Sequence, residues 1–397
     1  MPSSEAEWCW KANNTGTEPT MEAAGIYIHV PFCVEKCRYC DFYSQTDLTR
    51  QAAYVQSVLA ELRQVPPIPA DTLYLGGGTP SLLSPGDIQS LIDTAADIFS
   101  LPPNAEITLE VNPGTLDREG FTACRAAGVN RLNIGIQSFQ DAHLSFLGRI
   151  HSGDQAAQAI QWAGRAGFDN IGLDLIYGLP AQTRSDWKQD LTRALSHAPE
   201  HLSCYLLTYE PQTPLGRLQQ VGRVIPLNDD ATANLFLMTD RVLTDAGYDH
   251  YEISNFARRP AHRSRHNTKY WRHIPYLGFG PSAHSFISPE RRWNTADLVN
   301  YIHRMETGRS PVDQREILTR SQRMMETIYL GLRQTDGILL DAFEQEYSEA
   351  FQEKFFGIIE GLSAEKFLSE RNGRFGLTPR GMLFHDHICT RFVTEID

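Results

Sequence analysis

Three closely spaced cysteines are the strongest chemical signal in this 397-residue sequence. Cys33, Cys37 and Cys40 directly follow Pro31-Phe32, whereas the other cysteines are scattered. Thiolates are soft ligands that bind zinc or iron–sulfur clusters. Zinc fingers and ribbons bring four ligands in two separated pairs, and no second pair follows nearby. Unless the three are unrelated, we interpret them as ligands of a cubane cluster whose fourth iron is open to an exchangeable molecule.

Polar residues follow several predicted strands at their carboxyl ends. Residues 75–81 contain three consecutive glycines, which let the backbone approach a ligand closely or simply form a turn. Glu110, Gln137 and Asp174 lie at or near the ends of later strands, and Arg149 follows one of them. Carboxylates and amides suit ribose hydroxyls, and an arginine suits a carboxylate. Each residue taken alone is explained equally well by a structural ion pair.

A second chemical candidate is the run His266-Asn267-Thr268-Lys269-Tyr270-Trp271. An imidazole ligates heme iron, and the two aromatic side chains pack well on a flat macrocycle. Arg263, Arg265, Lys269 and Arg272 are suited to meeting propionates. The alternative is that His266 is hydrogen-bonded inside the protein and the aromatics are core. Further candidate ligands are His262, His273 and His284.

The elements that must position these residues alternate between β-rich runs and helical patterns. The predicted strands cover residues 25–30, 72–75, 106–111, 131–137, 170–176 and 201–207, and the helices between them cover 49–63, 85–99, 117–127, 154–166 and 184–195. Repeated strand–helix units predict a parallel sheet, wound as a barrel or as an open doubly wound sheet. The first strand lacks the Gly-rich fingerprint of a Rossmann sheet. In a barrel, chemistry is carried at the carboxyl ends of the strands.

Four regions are predicted along the chain. These are a flexible arm over 1–24, an α/β barrel over 25–255, a His- and aromatic-rich segment closing the site over 256–311, and a small winged-helix-like α+β domain over 312–397. Acidic residues outnumber basic ones by 48 to 36, which disfavours nucleic-acid binding. No apolar run approaches the roughly 18 residues of a membrane span, and the odd cysteine count disfavours a disulfide framework. We expect a cytoplasmic protein.

The CxxxCxxC spacing after the first strand resembles the radical SAM superfamily, whose fold is a partial (β/α)6 TIM-like barrel. The resemblance covers residues 25–286. It implies a [4Fe-4S] cluster on Cys33, Cys37 and Cys40, with S-adenosyl-L-methionine (SAM) on the open iron. The residues that it implies around SAM are Tyr27, Tyr39, Gly77, Gly78, Thr79, Glu110, Gln137, Arg149 and Asp174.

Within this superfamily the chain resembles the coproporphyrinogen III oxidase-like branch. Phe42 stands where the oxygen-independent oxidase has a further cysteine, and the N-terminal region is shorter here. Residues 266–271 are similar to the HNxxYW motif of HemW-type heme chaperones, and residues 278–284 also match the branch. The resemblance therefore implies heme as a further ligand, bound by His266, Asn267, Tyr270 and Trp271.

Two functions follow from the resemblance, and neither assigns a catalytic residue. The favoured one is a chaperone that delivers heme to an acceptor such as a respiratory cytochrome, with an electron donor such as flavodoxin or ferredoxin; a homodimer is left open. The alternative is an oxidase that decarboxylates porphyrinogen propionates by radical chemistry. DNA binding by the C-terminal domain is disfavoured by acidic residues on its helices, namely Asp341, Glu344, Glu346, Glu349, Glu353 and Glu360.

Overall fold

A computed structural model of the chain describes residues 22–396. Most of the predicted arm lies outside the described residues. The first strand begins at Ala24, one residue inside the region that was assigned to the arm. The backbone N–H groups of Ala24 and Gly25 donate to Pro69 and Pro275. The start of the barrel is therefore held from two sides.

Six parallel strands and the helices between them form the main body. The strands are Ala24–Val30 (β1), Ala70–Gly77 (β2), Glu106–Val111 (β3), Arg131–Gln137 (β4), Ile171–Tyr177 (β5) and His201–Leu206 (β6). The helices are Gln51–Leu62 (α1), Pro85–Phe99 (α2), Arg118–Ala126 (α3), Asp141–Leu147 (α4), Gly153–Arg165 (α5) and Arg184–Ser196 (α6). Every predicted strand and helix of this region is present. The short helix α4 was not predicted.

Local sequence explains where the helices begin. Ser152 and Gln155 form a reciprocal capping box at the start of α5, and Thr183 and Asp186 form one at the start of α6. Such pairs satisfy backbone N–H groups that have no partner inside the first helical turn. Helix α3 leads into Gly128, whose φ of 104° is a left-handed conformation that favours glycine.

Alternation along the strands separates an apolar outer face from a polar inner face. In β4, the fully buried Leu132, Ile134 and Ile136 alternate with Arg131, Asn133, Gly135 and Gln137. Burial of each large apolar side chain against the helices contributes about 1.5–3 kcal/mol. Polar side chains of neighbouring strands meet on the inner face, where Asn133 donates to Asp174 at 2.6 Å. The interior of the barrel is thus lined by polar groups.

The barrel stays open because β1 and β6 pair with later strands and not with each other. Helices Pro214–Gln220 (α7) and Asp229–Asp245 (α8) precede Asp249–Glu252 (β7) and Asn255–Ala257 (β8), which extend the sheet beyond β6. After Arg265–Trp271 (α9), the strands Tyr276–Phe279 (β9), His284–Ile287 (β10), Glu290–Asn294 (β11) and Val312–Ile317 (β12) extend it beyond β1, with Leu298–Glu306 (α10) between the last two. The strand order is β12-β11-β10-β9-β1-β2-β3-β4-β5-β6-β8-β7.

The C-terminal module begins later than predicted. Residues 312–317 form β12 of the main sheet, so the predicted boundary at 312 is corrected to the start of the next helix, Arg320–Arg333 (α11). The module continues with Ile338–Leu339 (β13), Leu340–Tyr347 (α12), Phe351–Lys354 (α13), Phe356–Ala364 (α14), Leu368–Arg371 (β14), Arg374–Leu377 (β15), Pro379–Met382 (α15) and His385–Val393 (α16). Its sheet has the order β13-β15-β14, which matches the predicted winged-helix-like character.

An aromatic cluster forms the core of this module. Phe343, Phe351, Phe355, Phe375 and Phe392 are each at most 2 % exposed and pack ring against ring. Helices α13 and α14 of this module meet at Phe355, where the backbone leaves helical geometry.

Among residues 22–396, no helix has both the length and the apolar character needed to cross a membrane.

Candidate functional site

A cavity of about 520 Å³ opens at the carboxyl ends of the parallel strands. Tyr27, which was predicted to contact SAM, does not line it. The Tyr27 hydroxyl hydrogen-bonds Nδ1 of His29 at 3.0 Å. The cavity brings together the other predicted cluster and SAM residues, namely Cys33, Cys37, Tyr39, Cys40, Gly77, Gly78, Thr79, Glu110, Gln137, Arg149 and Asp174.

The cysteine loop is held in place by its backbone. The N–H of Cys33 donates to Gln45 at 2.9 Å, and the N–H of Cys40 donates to Cys37 at 3.2 Å. Thr79 Oγ1 donates to Cys33 Sγ at 3.6 Å. All three thiols are free. Burial raises the pKa of Cys40 to about 11, so this thiol stays protonated near neutral pH until a ligand replaces its proton.

The three thiols face one cavity but do not converge on one point. Among residues 22–396, no three His, Cys, Asp or Glu side chains are gathered as ligands of a metal ion. A structural zinc site needs its donors about 2.3 Å from a single centre. In a cubane each cysteine binds a different iron, so the sulfurs need only face a shared space. The donor set suits the larger group better.

The glycine loop packs directly on the cysteine loop. Gly78 donates its N–H to Val30 at 2.8 Å, and a Cβ on Gly78 would lie 2.7 Å from the carbonyl oxygen of Phe32. Gly77 has φ of 109°, and a Cβ there would lie 2.7 Å from the His29 ring. The sequence suggested that these glycines admit a ligand or form a turn. In the structure they admit the neighbouring loop.

Glu110 presents a buried carboxylate to the cavity. Tyr74 donates its hydroxyl to Glu110 Oε1 at 2.7 Å, and the N–H of Gly77 donates to Oε2 at 3.1 Å. Burial raises the pKa of Glu110 to about 7, although both hydrogen bonds oppose this effect. An ionised Glu110 is an acceptor that hydroxyl donors of a ligand would satisfy.

Two further polar atoms in the cavity lack partners among the described residues. They are Oε1 of Gln137 and Oδ1 of Asp174, and both are buried. Gln137 has φ of 65° at a register irregularity between β4 and β5, an uncommon conformation for a residue other than glycine. Burial raises the pKa of Asp174 to about 6. Buried acceptors without donors are costly unless a ligand supplies them.

Arg149 connects the cavity wall to the cysteine loop. Its Nη2 donates to Asn112 at 2.6 Å and to the Gly135 carbonyl at 2.8 Å, and its Nη1 donates to Cys37 Sγ at 3.4 Å. Asn112 in turn donates to Thr79 at 2.8 Å. The pairing of Arg149 with a ligand carboxylate stays a prediction. In this structure the arginine contacts a predicted cluster ligand.

Sequence reasoning missed several residues of the cavity. Tyr74, Asn112 and Asn133 line it and hold its charged groups. The alternation of β4 would have indicated Asn133, because that residue shares the face of Gln137. The run Glu110-Val-Asn112 carries the same signal for Asn112, since residues two apart in a strand share a face.

The 266–271 motif lies at the opposite end of the barrel from the cavity. Helix α9 packs against the first residues of the strands, where Glu106 accepts the backbone N–H of His266 at 3.0 Å. His266 is 1 % exposed, and its ring nitrogens hydrogen-bond Thr72 and Tyr270, both at 2.8 Å. Neither nitrogen is open to iron in this arrangement. Heme ligation by His266 stays a prediction that would require α9 to move.

The other motif residues are also committed to internal contacts. The Tyr270 ring packs edge-on against Tyr276, with centroids 4.6 Å apart. Trp271 lies beside Tyr251 and under the guanidinium of Arg333, which belongs to α11. Asn267 is half-buried, and its N–H caps onto Ser264. The predicted role of residues 256–311 in closing the site is corrected for α9, because this helix closes the far end of the barrel.

The comparisons with known proteins agree with this architecture. A model of the radical SAM superfamily matches residues 27–194, and a model of the HemN C-terminal domain matches residues 318–384. The solved structure of coproporphyrinogen III oxidase (HemN) from Escherichia coli superposes with a TM-score of 0.80 at 22 % identity, covering 94 % of this chain and 91 % of that one. At this identity the likeness shows the fold alone.

Full-length relatives share more sequence. The protein named heme chaperone HemW from Synechocystis is 37 % identical over 82 % of this chain and 81 % of its own length. Its namesake from Escherichia coli is 33 % identical over 93 % of this chain and 98 % of its own length. A mitochondrial radical S-adenosyl methionine domain-containing protein 1 from Danio rerio is 32 % identical over 94 % of this chain. The chain therefore belongs to the HemW family of radical SAM proteins.

Proposed function

We propose that this chain is a cytoplasmic heme chaperone that binds a [4Fe-4S] cluster, SAM and heme, and passes heme to an acceptor protein. The observation that carries the proposal is the cavity at the carboxyl ends of the strands. It combines three free thiols with buried acceptors that lack donors, in a chain whose relatives are named heme chaperones. The free thiols favour a reducing compartment.

The cavity residues fit the two cofactors. Cys33, Cys37 and Cys40 would hold the cluster, which when bound supplies an open iron and an electron for the SAM sulfonium. Glu110 and Asp174 would accept hydrogen bonds from hydroxyls of SAM, and Gln137 would accept one more. Tyr39 places an aromatic ring in the same cavity. These side chains bind and orient, while the chemistry belongs to the cofactors.

Heme binding follows from the family and needs an accessible ligand. His266 remains the ligand that the motif implies. Of the alternative histidines, His284 is exposed, whereas His262 and His273 are half-buried. The His284 ring stacks on Trp293, with centroids 5.3 Å apart, and Trp293 adds a flat apolar surface. We therefore propose His284 as the alternative iron ligand if α9 stays in place.

The competing function is oxidative decarboxylation of porphyrinogen propionates. Phe42 occupies the position of the additional cysteine and is 67 % exposed at the cavity. A phenylalanine cannot ligate iron, which favours the chaperone. In either function the cluster needs a one-electron donor such as flavodoxin or ferredoxin. Only the chaperone function needs a heme acceptor, and a respiratory cytochrome would fit that role. A homodimer stays a prediction.

One set of anaerobic measurements tests the proposal. The reconstituted protein is titrated with hemin and followed by absorbance, in the parent and in the variants His266→Ala and His284→Ala. We expect saturable binding in the parent and its loss in one of the two variants. In parallel, incubation with coproporphyrinogen III, SAM and a reductant should leave the porphyrinogen unchanged. Formation of protoporphyrinogen, or a parent that binds no heme, would contradict the chaperone.

A further inference from the structure

We infer that His266 is a positioning residue for the SAM cavity: it fixes Tyr74, and Tyr74 fixes the carboxylate of Glu110. His266 lies on α9 at the starts of the strands, and this role would act on the cavity at their carboxyl ends. The inference rests on the proposed SAM site.

The first step is that His266 itself cannot turn. Its ring is hydrogen-bonded at both nitrogens, by Thr72 on β2 and by Tyr270 one helical turn later on α9. Its backbone N–H is bound by Glu106 on β3. Burial, followed by the charges of Lys269 and Arg131, lowers the pKa of His266 to about 3. The imidazole is therefore neutral, with one nitrogen donating and the other accepting.

The second step is the stacking of His266 on Tyr74. Their ring centroids are 5.1 Å apart with an angle of 28° between the planes. Tyr27 packs beside both, 6.1 Å from Tyr74 and 6.4 Å from His266. A Cβ on Gly25 would lie only 3.1 Å from the His266 ring, so the glycine makes room for this stack. The Tyr74 ring thus rests on a fixed support.

The third step is the hydrogen bond from Tyr74 to Glu110. It is 2.7 Å long, and among the described residues the other carboxylate oxygen accepts the N–H of Gly77 at 3.1 Å. A shift of the Tyr74 ring would therefore move or release one of two contacts that orient this carboxylate. Because Glu110 lines the cavity, the effect would be felt by a ligand there.

Binding measurements on the full chain with its cluster reconstituted test the inference. The variants are Tyr74→Phe, His266→Asn and the pair combined, with Tyr301→Phe as control because Tyr301 donates to Glu61 away from the cavity. We expect each single variant to weaken SAM binding roughly tenfold, in line with one lost hydrogen bond to a charged group. The combined variant should be no weaker than either single one, because both act on one path.

A pH profile of SAM affinity separates positioning from loss of fold. The titratable and charged groups that face Glu110 are Tyr27, Tyr74, Arg131, Asp174 and Tyr270. Loss of the Tyr74 hydrogen bond, which lowers the pKa of Glu110, should shift the midpoint of the profile upward. His266→Asn should shift it in the same direction and Tyr301→Phe should not, even if all three variants lose thermal stability.

Two outcomes would overturn the inference alone. One is SAM binding in His266→Asn that equals that of the parent in affinity and in pH midpoint. The other is a His266→Asn variant that loses heme binding but keeps the SAM binding of the parent, because the residue would then act on heme alone. A parent that holds the cluster but binds no SAM would instead contradict the proposed function and the inference together. If His266→Asn does not fold, Thr72→Val takes its place, because Thr72 hydrogen-bonds the His266 ring. Its SAM affinity and pH midpoint are then compared with those of Tyr74→Phe.

Discussion

Arg149 donates a hydrogen bond to the sulfur of Cys37, with 3.4 Å between Nη1 and Sγ. The same guanidinium donates to Asn112, directly after β3, and to the carbonyl of Gly135 in β4. Its position is therefore set by these two elements together with the cysteine loop. Cluster potentials depend on net charge and on hydrogen bonds to the ligating sulfurs. Arg149 is therefore placed to adjust the potential of a cluster held by Cys37.

Replacing Arg149 by methionine should make the reduction potential of the reconstituted cluster more negative. The substitution removes a positive charge and the hydrogen bond to the sulfur, both of which favour the reduced, more negative cluster. The potential is read from a redox titration followed by electron paramagnetic resonance. Arg125→Met on α3 is the matched control, because Arg125 caps backbone carbonyls outside the cavity. Equal potentials in Arg149→Met and the parent would refute the prediction.

Single alanine substitutions of Cys33, Cys37 or Cys40 should each abolish the broad visible absorbance of the reconstituted protein. A cubane that loses one of three protein ligands is not retained by the remaining two. The control is Cys124→Ala, because Cys124 is buried on α3 away from the cavity and its pKa is raised by burial alone. Iron and sulfide content of each variant checks the result, and a full cluster in any of the three would contradict the assignment.

Gly78→Ala should destabilise the protein, because the new Cβ would meet backbone and not a flexible side chain. It would lie 2.7 Å from the Phe32 oxygen and 2.9 Å from the Val30 oxygen. Forcing these loops apart should cost about 1–3 kcal/mol. Gly164→Ala is the matched control in α5, where the Cβ meets nothing within 4 Å. Helix propensity predicts a gain of up to about 1 kcal/mol there. Urea unfolding measures both.

Asp174→Asn should stabilise the SAM-free protein at pH 8 and have little effect at pH 4. The pKa of Asp174 is raised from 3.8 to about 6 by burial, so the folded state disfavours the ionised form. Below the unfolded-state pKa near 4, Asp174 is protonated in both states and does not destabilise the fold. Between this pKa and the folded-state pKa, the destabilisation by the ionised carboxylate grows. Above the folded-state pKa it is constant, at most about 3 kcal/mol. The free energy of unfolding at several pH values measures the difference.

Asp186→Asn should change the free energy of unfolding at pH 8 in the opposite direction to Asp174→Asn. Hydrogen bonds from Thr183 lower the pKa of Asp186 at the start of α6. The ionised Asp186 therefore stabilises the fold above its unfolded-state pKa. This stabilisation is lost as the pH falls through its folded-state pKa. This variant should be less stable than the parent at pH 8, with the difference shrinking in acid. The same sign for both variants would contradict the two assignments.

Periodicity explains why the parallel strands were predictable. In β4 the alternation of Arg131, Asn133 and Gln137 with apolar residues marks a strand with two different faces. The cysteine spacing and the polar strand ends were predicted to belong to one site, and they line one cavity because the carboxyl ends of parallel strands meet at one edge. These features depend on residues that are near neighbours in sequence or in the strand order.

The position of the 266–271 motif could not be predicted in the same way. Thr72 and His266 are separated by 194 positions, and their hydrogen bond exists only because α9 returns to the starts of β1 and β2. Residues 256–311 contain short strands and short helices without a long periodic pattern, so their place in the sheet was invisible locally. From the residues alone, an imidazole next to aromatics favours an interior cluster, and it was the resemblance that favoured heme.

Helix α9 packs on the first residues of the parallel strands, opposite the cavity, and this has a consequence for the order of binding. The cavity is reached past the exposed side chains of Phe42 and Leu206, at the end away from α9. A small molecule bound among the strand ends would therefore have to enter before a larger one that covers Phe42 and Leu206, and its release past these residues would have to await departure of the larger one.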